Sequence, residues 1–220
     1  MNTNPKAKAV LCYGDSNTYG TKPSLTGRYV ADERWTGLLQ QQLGSDYYVE
    51  EGLGGRTTDL DHPIPGKPMR NGFAYFQGCL ESYMLLDVII VMLGTNDLKT
   101  VYKRSAEDVA QALRQFPEYV SKYCASRNIQ PPKIVLVSPA PMDEHASKFI
   151  ESMPAPVYYD EVSAQKSRQL AEPFKKIAQE TGCVFFDAAP VAKAGDDGCH
   201  LTKESHKNLA DSLTQIIKDL

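Results

Sequence analysis

Asp87-Val88-Ile89-Ile90-Val91-Met92-Leu93, followed directly by Gly94-Thr95-Asn96-Asp97, is the stretch whose reading decides the fold. From Val88 to Leu93 every side chain is apolar and most are β-branched. A half-exposed strand would alternate apolar with polar residues. This one is apolar on both faces, the pattern of a central strand in a parallel sheet covered above and below. Working outward, residues 7–13 (AKAVLCY), 47–51 (YYVEE), 133–138 (KIVLVS) and 183–187 (CVFFD) read as further strands. Between them, residues 35–43, 105–124 and 158–181 carry apolar residues at helical spacing. A last amphipathic segment, 203–219, places Leu209, Leu213, Ile216 and Ile217 on one side. Strands alternating with helices imply an α/β fold, a parallel sheet with helices on both faces.

Composition narrows the function classes. The chain has 220 residues, with 24 Lys and Arg against 27 Asp and Glu, a net charge of −3. Hydrophobic residues make up 42% and charged residues 23%, the balance of one soluble globular domain spanning 1–220 rather than of a disordered chain. The slight acidic excess argues against a nucleic-acid partner, which calls for a basic cluster. The longest apolar run, Val88 to Leu93, is strand-sized, well short of the ~20 residues that cross a bilayer, so no membrane association is expected. Residues 1–6 (MNTNPK) lack the apolar core of a signal peptide. Cys12, Cys79, Cys124, Cys183 and Cys199 are odd in number, scattered and without a C-x-x-C pair. They read as reduced thiols of a cytoplasmic protein, not as a disulfide framework or zinc site. No repeat or low-complexity tract interrupts the chain.

Two long irregular stretches, 17–33 and 140–156, follow the first and fourth strands. Open α/β sheets bind ligands at the carboxyl edge of their strands, so both are candidate substrate-pocket walls. Four short motifs lie at or near the same edge. Gly14-Asp15-Ser16 ends the first strand; alone, it reads first as a turn in which Ser16 caps a helix. Gly54-Gly55 follows the second strand and by itself says only that the chain loops there. Asn96, after the strongest strand, is either a turn former or an amide donor aimed at the same edge as Ser16. Asp197-Gly198-Cys199-His200 precedes the last helix, and an acid three residues before a histidine can curl back onto Nδ1–H, leaving Nε2 as a base. Taken together they supply a nucleophile, oxyanion donors, an orienting acid and a base, the inventory for acyl transfer.

With these four blocks in this order, the chain resembles the SGNH, or GDSL-type, esterases and lipases. Gly14-Asp15-Ser16 resembles the nucleophile block, with Asn17 where many members carry leucine. Gly55 resembles the glycine-block position, Gly94-Thr95-Asn96-Asp97 the asparagine block, and Asp197 to His200 the D-x-x-H block. Arg34-Trp35-Thr36-Gly37, Glu50-Glu51-Gly52-Leu53, Arg56-Thr57-Thr58, Met92 to Asp97 and Val137-Ser138-Pro139 are similar to segments of the arylesterase/acyltransferase subgroup. In that subgroup alanine can replace the residue matching Gly55, so there the backbone N–H is what matters.

The resemblance implies a three-layer α/β/α flavodoxin-like sandwich with about five parallel strands. It also implies hydrolysis of small carboxylic esters, acyl transfer to alcohols, and a homo-oligomer whose loops narrow the entrance. Ser16 is then the nucleophile, His200 the base and Asp197 its orienting acid. The backbone N–H groups of Ser16 and Gly55 and the Asn96 amide form the oxyanion hole. The partners expected are a small-molecule ester and a water or alcohol acceptor, with no cofactor and no metal. Asn17, Trp35 and Phe149 are candidate pocket residues, although packing in the core is the default for Trp35.

Other residues are set aside. Asp196 is spaced less well for His200 than Asp197, Asp187 reads as a turn former, and Asp15 is expected to bond within its own turn. Asp59, Asp61 and His62 read as a polar loop rather than a metal site. His145 and His206 are expected on the surface, and Cys199 is expected to point away from its neighbour His200. Arg56 is a candidate support for the oxyanion loop. The alternatives left open are an acyl-thioesterase or carbohydrate O-deacetylase with the same machinery, and a non-catalytic flavodoxin-like binding protein.

Overall fold

Strands β1 (Ala9–Gly14), β2 (Tyr47–Gly52), β3 (Val88–Met92), β4 (Lys133–Ser138) and β5 (Val184–Asp187) pair in parallel in the order β2-β1-β3-β4-β5. The computed structural model describes residues 7–23, 27–44, 47–63, 66–144, 146 and 159–220. Because side chains alternate along a strand, each central strand feeds two cores. Leu11, Tyr13, Ile89, Val91, Ile134 and Leu136 point to one side of the sheet, Val10, Cys12, Ile90, Met92, Val135 and Val137 to the other. The first face is covered by α3 (Gly72–Tyr83), α4 (Ala106–Leu113), α5 (Gln115–Arg127), α6 (Glu161–Ser167) and α7 (Ala171–Thr181). The second is covered by α2 (Trp35–Leu43) and α8 (Lys203–Lys218). The three-layer α/β/α expectation holds. No helix among the described residues is long and apolar enough to cross a membrane.

Two amphipathic segments that read as single helices are each broken in two. The first breaks at Arg114 and the second around residues 168–170. Pro117 and Pro173 explain both breaks: each sits within the first turn of the following helix, where its missing N–H has no intrahelical partner to lose. In a continuous helix the same ring would collide with the carbonyl four residues earlier. Helix α3 has no counterpart in the sequence reading. A glycine begins it and a second, Gly78, interrupts its aromatic-rich pattern, and its start is fixed by Asn71, whose side chain accepts from the Ala74 N–H.

Two of the segments that resemble the arylesterase/acyltransferase subgroup, Arg34-Trp35-Thr36-Gly37 and Glu50-Glu51-Gly52-Leu53, meet at the start of α2. Arg34 grips Glu50 with Nε at 2.7 Å and Nη2 at 2.6 Å, and the Thr36 hydroxyl donates to the same carboxylate. The Trp35 N–H at this helix start has no cap from Arg34 and donates instead to His206 Nδ1 at 3.2 Å. This overturns the expectation that His206 is solvated. Its ring is fully buried, edge-on to Tyr29, and burial pushes its pKa down to about 4. An orphan helix N–H needs an acceptor, and the neutral imidazole supplies it.

β1 and β2 close on α1 (Ser16–Tyr19) tightly enough that Gly52 has no room for a side chain. A Cβ there would lie 2.2 Å from the Tyr19 backbone nitrogen. Gly52→Ala is expected to lower stability by about 1–3 kcal/mol, read as a fall of several degrees in Tm. His206 yields a pH prediction. Its folded pKa is depressed, so its contribution is present above the unfolded value of 6.5 and is lost as pH falls toward about 4. The loss amounts to roughly 3 kcal/mol. In His206→Asn, whose Oδ1 can accept from Trp35, urea denaturation between pH 7 and 4.5 is expected to show a shallower loss than in the wild type.

Candidate active site

Strand order brings the carboxyl ends of β1 and β3 side by side, the point where an open α/β sheet reverses direction and leaves a crevice. β1 ends at Gly14, and the Asp15 carboxylate caps α1 by accepting from the Asn17 N–H at 2.9 Å. Ser16 is therefore the first helical residue, its hydroxyl at the rim of the sheet. His200 Nε2 lies 3.0 Å from Ser16 Oγ, across 184 residues of chain. His200 Nδ1 lies 2.6 Å from Asp197 Oδ2, while Asp197 Oδ1 accepts from the backbone N–H groups of Cys199 (2.9 Å) and His200 (2.8 Å). Asp197 is buried; His200 is part-exposed. A carboxylate held by three donors fixes the Nδ1–H tautomer and leaves the Nε2 lone pair facing the hydroxyl.

Asn17 binds the two ends of this arrangement together. Its Nδ2 donates to the Cys199 carbonyl at 3.3 Å, and its Oδ1 accepts from the Leu201 N–H at 3.0 Å. The Trp35 indole in turn donates to the Asn17 carbonyl at 3.1 Å. Both residues were candidates for the pocket wall, and both are corrected. Asn17 is buried with both ends of its amide bonded to the histidine loop, and Trp35 is packed without exposure in the core between sheet, α2 and α8. Phe149 and His145 lie outside the described residues.

Asn96 enters from the tip of β3, in the 3-10 turn Asn96–Leu98. Its Nδ2 donates to Asp15 Oδ2 at 3.3 Å and its Oδ1 accepts from the Tyr159 hydroxyl at 3.1 Å. The neighbouring Asp97 is buried and faces away. Its carboxylate accepts from the Thr58 N–H (2.9 Å), the Thr58 hydroxyl (2.5 Å) and Arg104 Nη1 (2.8 Å). Burial still dominates and raises its pKa to about 6. These bonds tie the loop after β2 to the loop after β3.

The loop after β2 is also tied to β1. Arg56 Nη1 donates to the Gly14 carbonyl at 2.9 Å and to the Glu51 carbonyl, and its guanidinium lies 4.3 Å over the Tyr13 ring. Between these ties, Gly54 lies against the Ser16 side chain and Gly55 takes a left-handed conformation, φ +82°.

The residues set aside fall elsewhere. Asp196 is exposed, Asp187 accepts from the Ala189 N–H in its own turn, and Asp59 pairs with Arg104 at 2.6 Å. Among the described residues no cluster of His, Cys, Asp and Glu is placed to hold a metal ion. Cys199 is buried, and burial pushes its thiol up to about 12, far from a thiolate nucleophile. Of the two loops proposed as pocket walls, the described residues of the first, 17–23 and 27–33, are joined by bonds such as Arg28 Nε to the Tyr19 carbonyl (2.6 Å). The other begins tied down, with the Met142 N–H on Ser167 Oγ (2.9 Å) and the Asp143 N–H on the Gly198 carbonyl (2.8 Å).

Three residues at the site carry no signal in the sequence: Tyr159, Arg104 and Lys99. Lys99 sits with Nζ 5.8 Å over the Tyr159 ring, and burial lowers its pKa to about 8. None belongs to a motif with fixed spacing, so only the packing reveals them.

The fold recurs in known proteins. The chain is 36% identical to the aryl esterase of M. smegmatis, covering 97% of this chain and 100% of that one with a TM-score of 0.85. It is 30% identical to Est24, a carbohydrate acetylesterase from Sinorhizobium meliloti, covering 96% and 99% with a TM-score of 0.86. No curated protein matches the sequence. The model of the GDSL-like lipase/acylhydrolase family matches residues 12–207, a span running from β1 through the nucleophile turn and His200 into α8. On that match, which takes in every segment meeting around Ser16, the chain belongs to the GDSL-like lipase/acylhydrolase family.

Proposed function

We propose that the protein is a serine carboxylesterase that hydrolyses small esters through an acyl-enzyme. One observation carries the reading: the Ser16 hydroxyl stands 3.0 Å from an imidazole whose far nitrogen is locked 2.6 Å from a buried carboxylate. His200 Nε2 takes the Ser16 proton as Oγ attacks the ester carbonyl carbon, and Asp197 stabilises the imidazolium that results. The carbonyl π electrons move onto oxygen, where the Ser16 and Gly55 N–H groups and the Asn96 amide are the proposed donors. Collapse of the tetrahedral intermediate breaks the ester C–O bond, and His200 returns its proton to the departing alcohol. Water, activated by the same imidazole, then frees the acid and restores Ser16.

An alcohol in place of that water would give acyl transfer, as the resemblance to the arylesterase/acyltransferase subgroup suggests. The likeness to Est24 supports acetylated carbohydrates as a second substrate class. An acyl-thioester would pass through the same steps with a thiolate leaving group. We also propose that the chain acts as one domain, in a cytoplasmic homo-oligomer. The cysteines that support the compartment, Cys12, Cys79, Cys124, Cys183 and Cys199, are all free thiols.

Ser16→Ala is expected to abolish p-nitrophenyl acetate turnover and labelling by a fluorophosphonate probe. Asn96→Ala is expected to lower kcat by ~100-fold or more through loss of one oxyanion donor. Wild-type rates in the Ser16 variant would refute the acyl-enzyme, and rates on aryl acetates, acetylated sugars and acyl-CoA would rank the substrate classes.

A further inference from the structure

A side-chain amide can serve an oxyanion only with its nitrogen, yet its two ends have nearly the same shape. Something must therefore decide which end of Asn96 faces the reacting carbonyl. Two neighbours bear on that choice. The Asp15 carboxylate accepts from Nδ2 at 3.3 Å, a long contact, and the Tyr159 hydroxyl meets Oδ1 at 3.1 Å. Tyr159 is buried, and burial holds its phenol protonated, so it can donate at every working pH.

The phenol is held firmly with respect to Asn96. Asp160, the next residue, caps α6 by accepting from the Ser163 N–H at 2.7 Å. Ser163 Oγ donates to the Leu98 carbonyl at 2.7 Å. The start of α6 is thus bonded to the same 3-10 turn that carries Asn96, and Lys166 Nζ extends the tie to the Arg104 carbonyl at 2.7 Å. The segment bearing the donor is thereby bonded to the segment bearing the amide.

We propose that Tyr159 is a positioning residue for the oxyanion site: by donating to Asn96 Oδ1 it holds the amide with Nδ2 turned toward Asp15 and its second N–H free for the developing oxyanion. In this role it acts through Asn96. The proposal rests on the esterase reading and adds a residue to it. Without the phenol proton the amide can rotate, and a donor that must be ordered during the reaction is worth less than one already in place.

The test is Tyr159→Phe in the full-length chain, which removes one oxygen and keeps the ring. With p-nitrophenyl acetate, kcat is expected to fall about 10-fold while KM stays within about 2-fold, since the phenol orders a group that serves the transition state. Phenylboronic acid, which becomes tetrahedral on the serine oxygen, is expected to bind more weakly by a similar factor. Asn96→Ala combined with Tyr159→Phe is expected to lose no more than Asn96→Ala alone, because the two act as one unit.

Wild-type kcat and boronate affinity in Tyr159→Phe would overturn the assignment, as would losses that multiply in the double variant. A change in KM or Tm alone, with boronate affinity unchanged, would mark a packing role and overturn it equally. The esterase reading fails separately, by absence of turnover in the wild type.

Discussion

Two hydrogen-bonded ladders share β1. One pairs Gly14 with Gly52 of β2 and the other pairs Gly14 with Met92 of β3. The strand tips that carry Ser16, the Gly54-Gly55 loop and Asn96 are adjacent only because these three strands end in register. That closeness leaves no space: a Cβ on Gly14 would lie 2.7 Å from the Met92 carbonyl and closer still to Thr18. The register places three motifs at one rim. The fourth, which enters from the chain's far end, is secured by the Asn17 amide.

Burial of charge is the second organising theme. Asp15, Asp97 and Asp197 are all buried beside the site. A carboxylate in such a place is costly unless donors surround it. Asp197 has two backbone N–H groups and an imidazole, Asp97 has Thr58 and Arg104, and Asp15 has the Asn17 N–H and the Asn96 amide. The Asp197 bonds are local and shape the loop that carries His200, whereas the Asp15–Asn96 and Asp97–Thr58 bonds join segments distant in sequence and so also fix the relative positions of the loops. Arg56 does the same with a cation, stacked on Tyr13 and bonded to the last carbonyl of β1.

Much of this was legible before any coordinates. The run from Val88 to Leu93, apolar on both faces, announces a central parallel strand, and the alternation around it announces the layers. Ser16, Asn96, Asp197 and His200 stand out because their blocks combine residue types with fixed spacing. What failed to show has physical causes. Pro117 and Pro173 divide amphipathic segments without disturbing their periodicity. Trp35 and His206 form one buried pair, yet an aromatic near a predicted edge and a histidine on a polar helix start carry no local mark of it. Asn17 sits beside the nucleophile and reads as a pocket residue, but its amide is consumed by the histidine loop.

The amino-acid sequence by itself determined the layered parallel sheet and the chemical inventory at its carboxyl edge, because both are written in local patterns: hydrophobic period, glycine at tight turns, an acid three places before a histidine. Only the tertiary structure decided how those groups are held. The phenol on Asn96 comes from 63 residues away and the imidazole on Ser16 from 184. Contacts over such separations depend on how helices pack against the sheet, a property of the whole core that no short stretch of chain encodes.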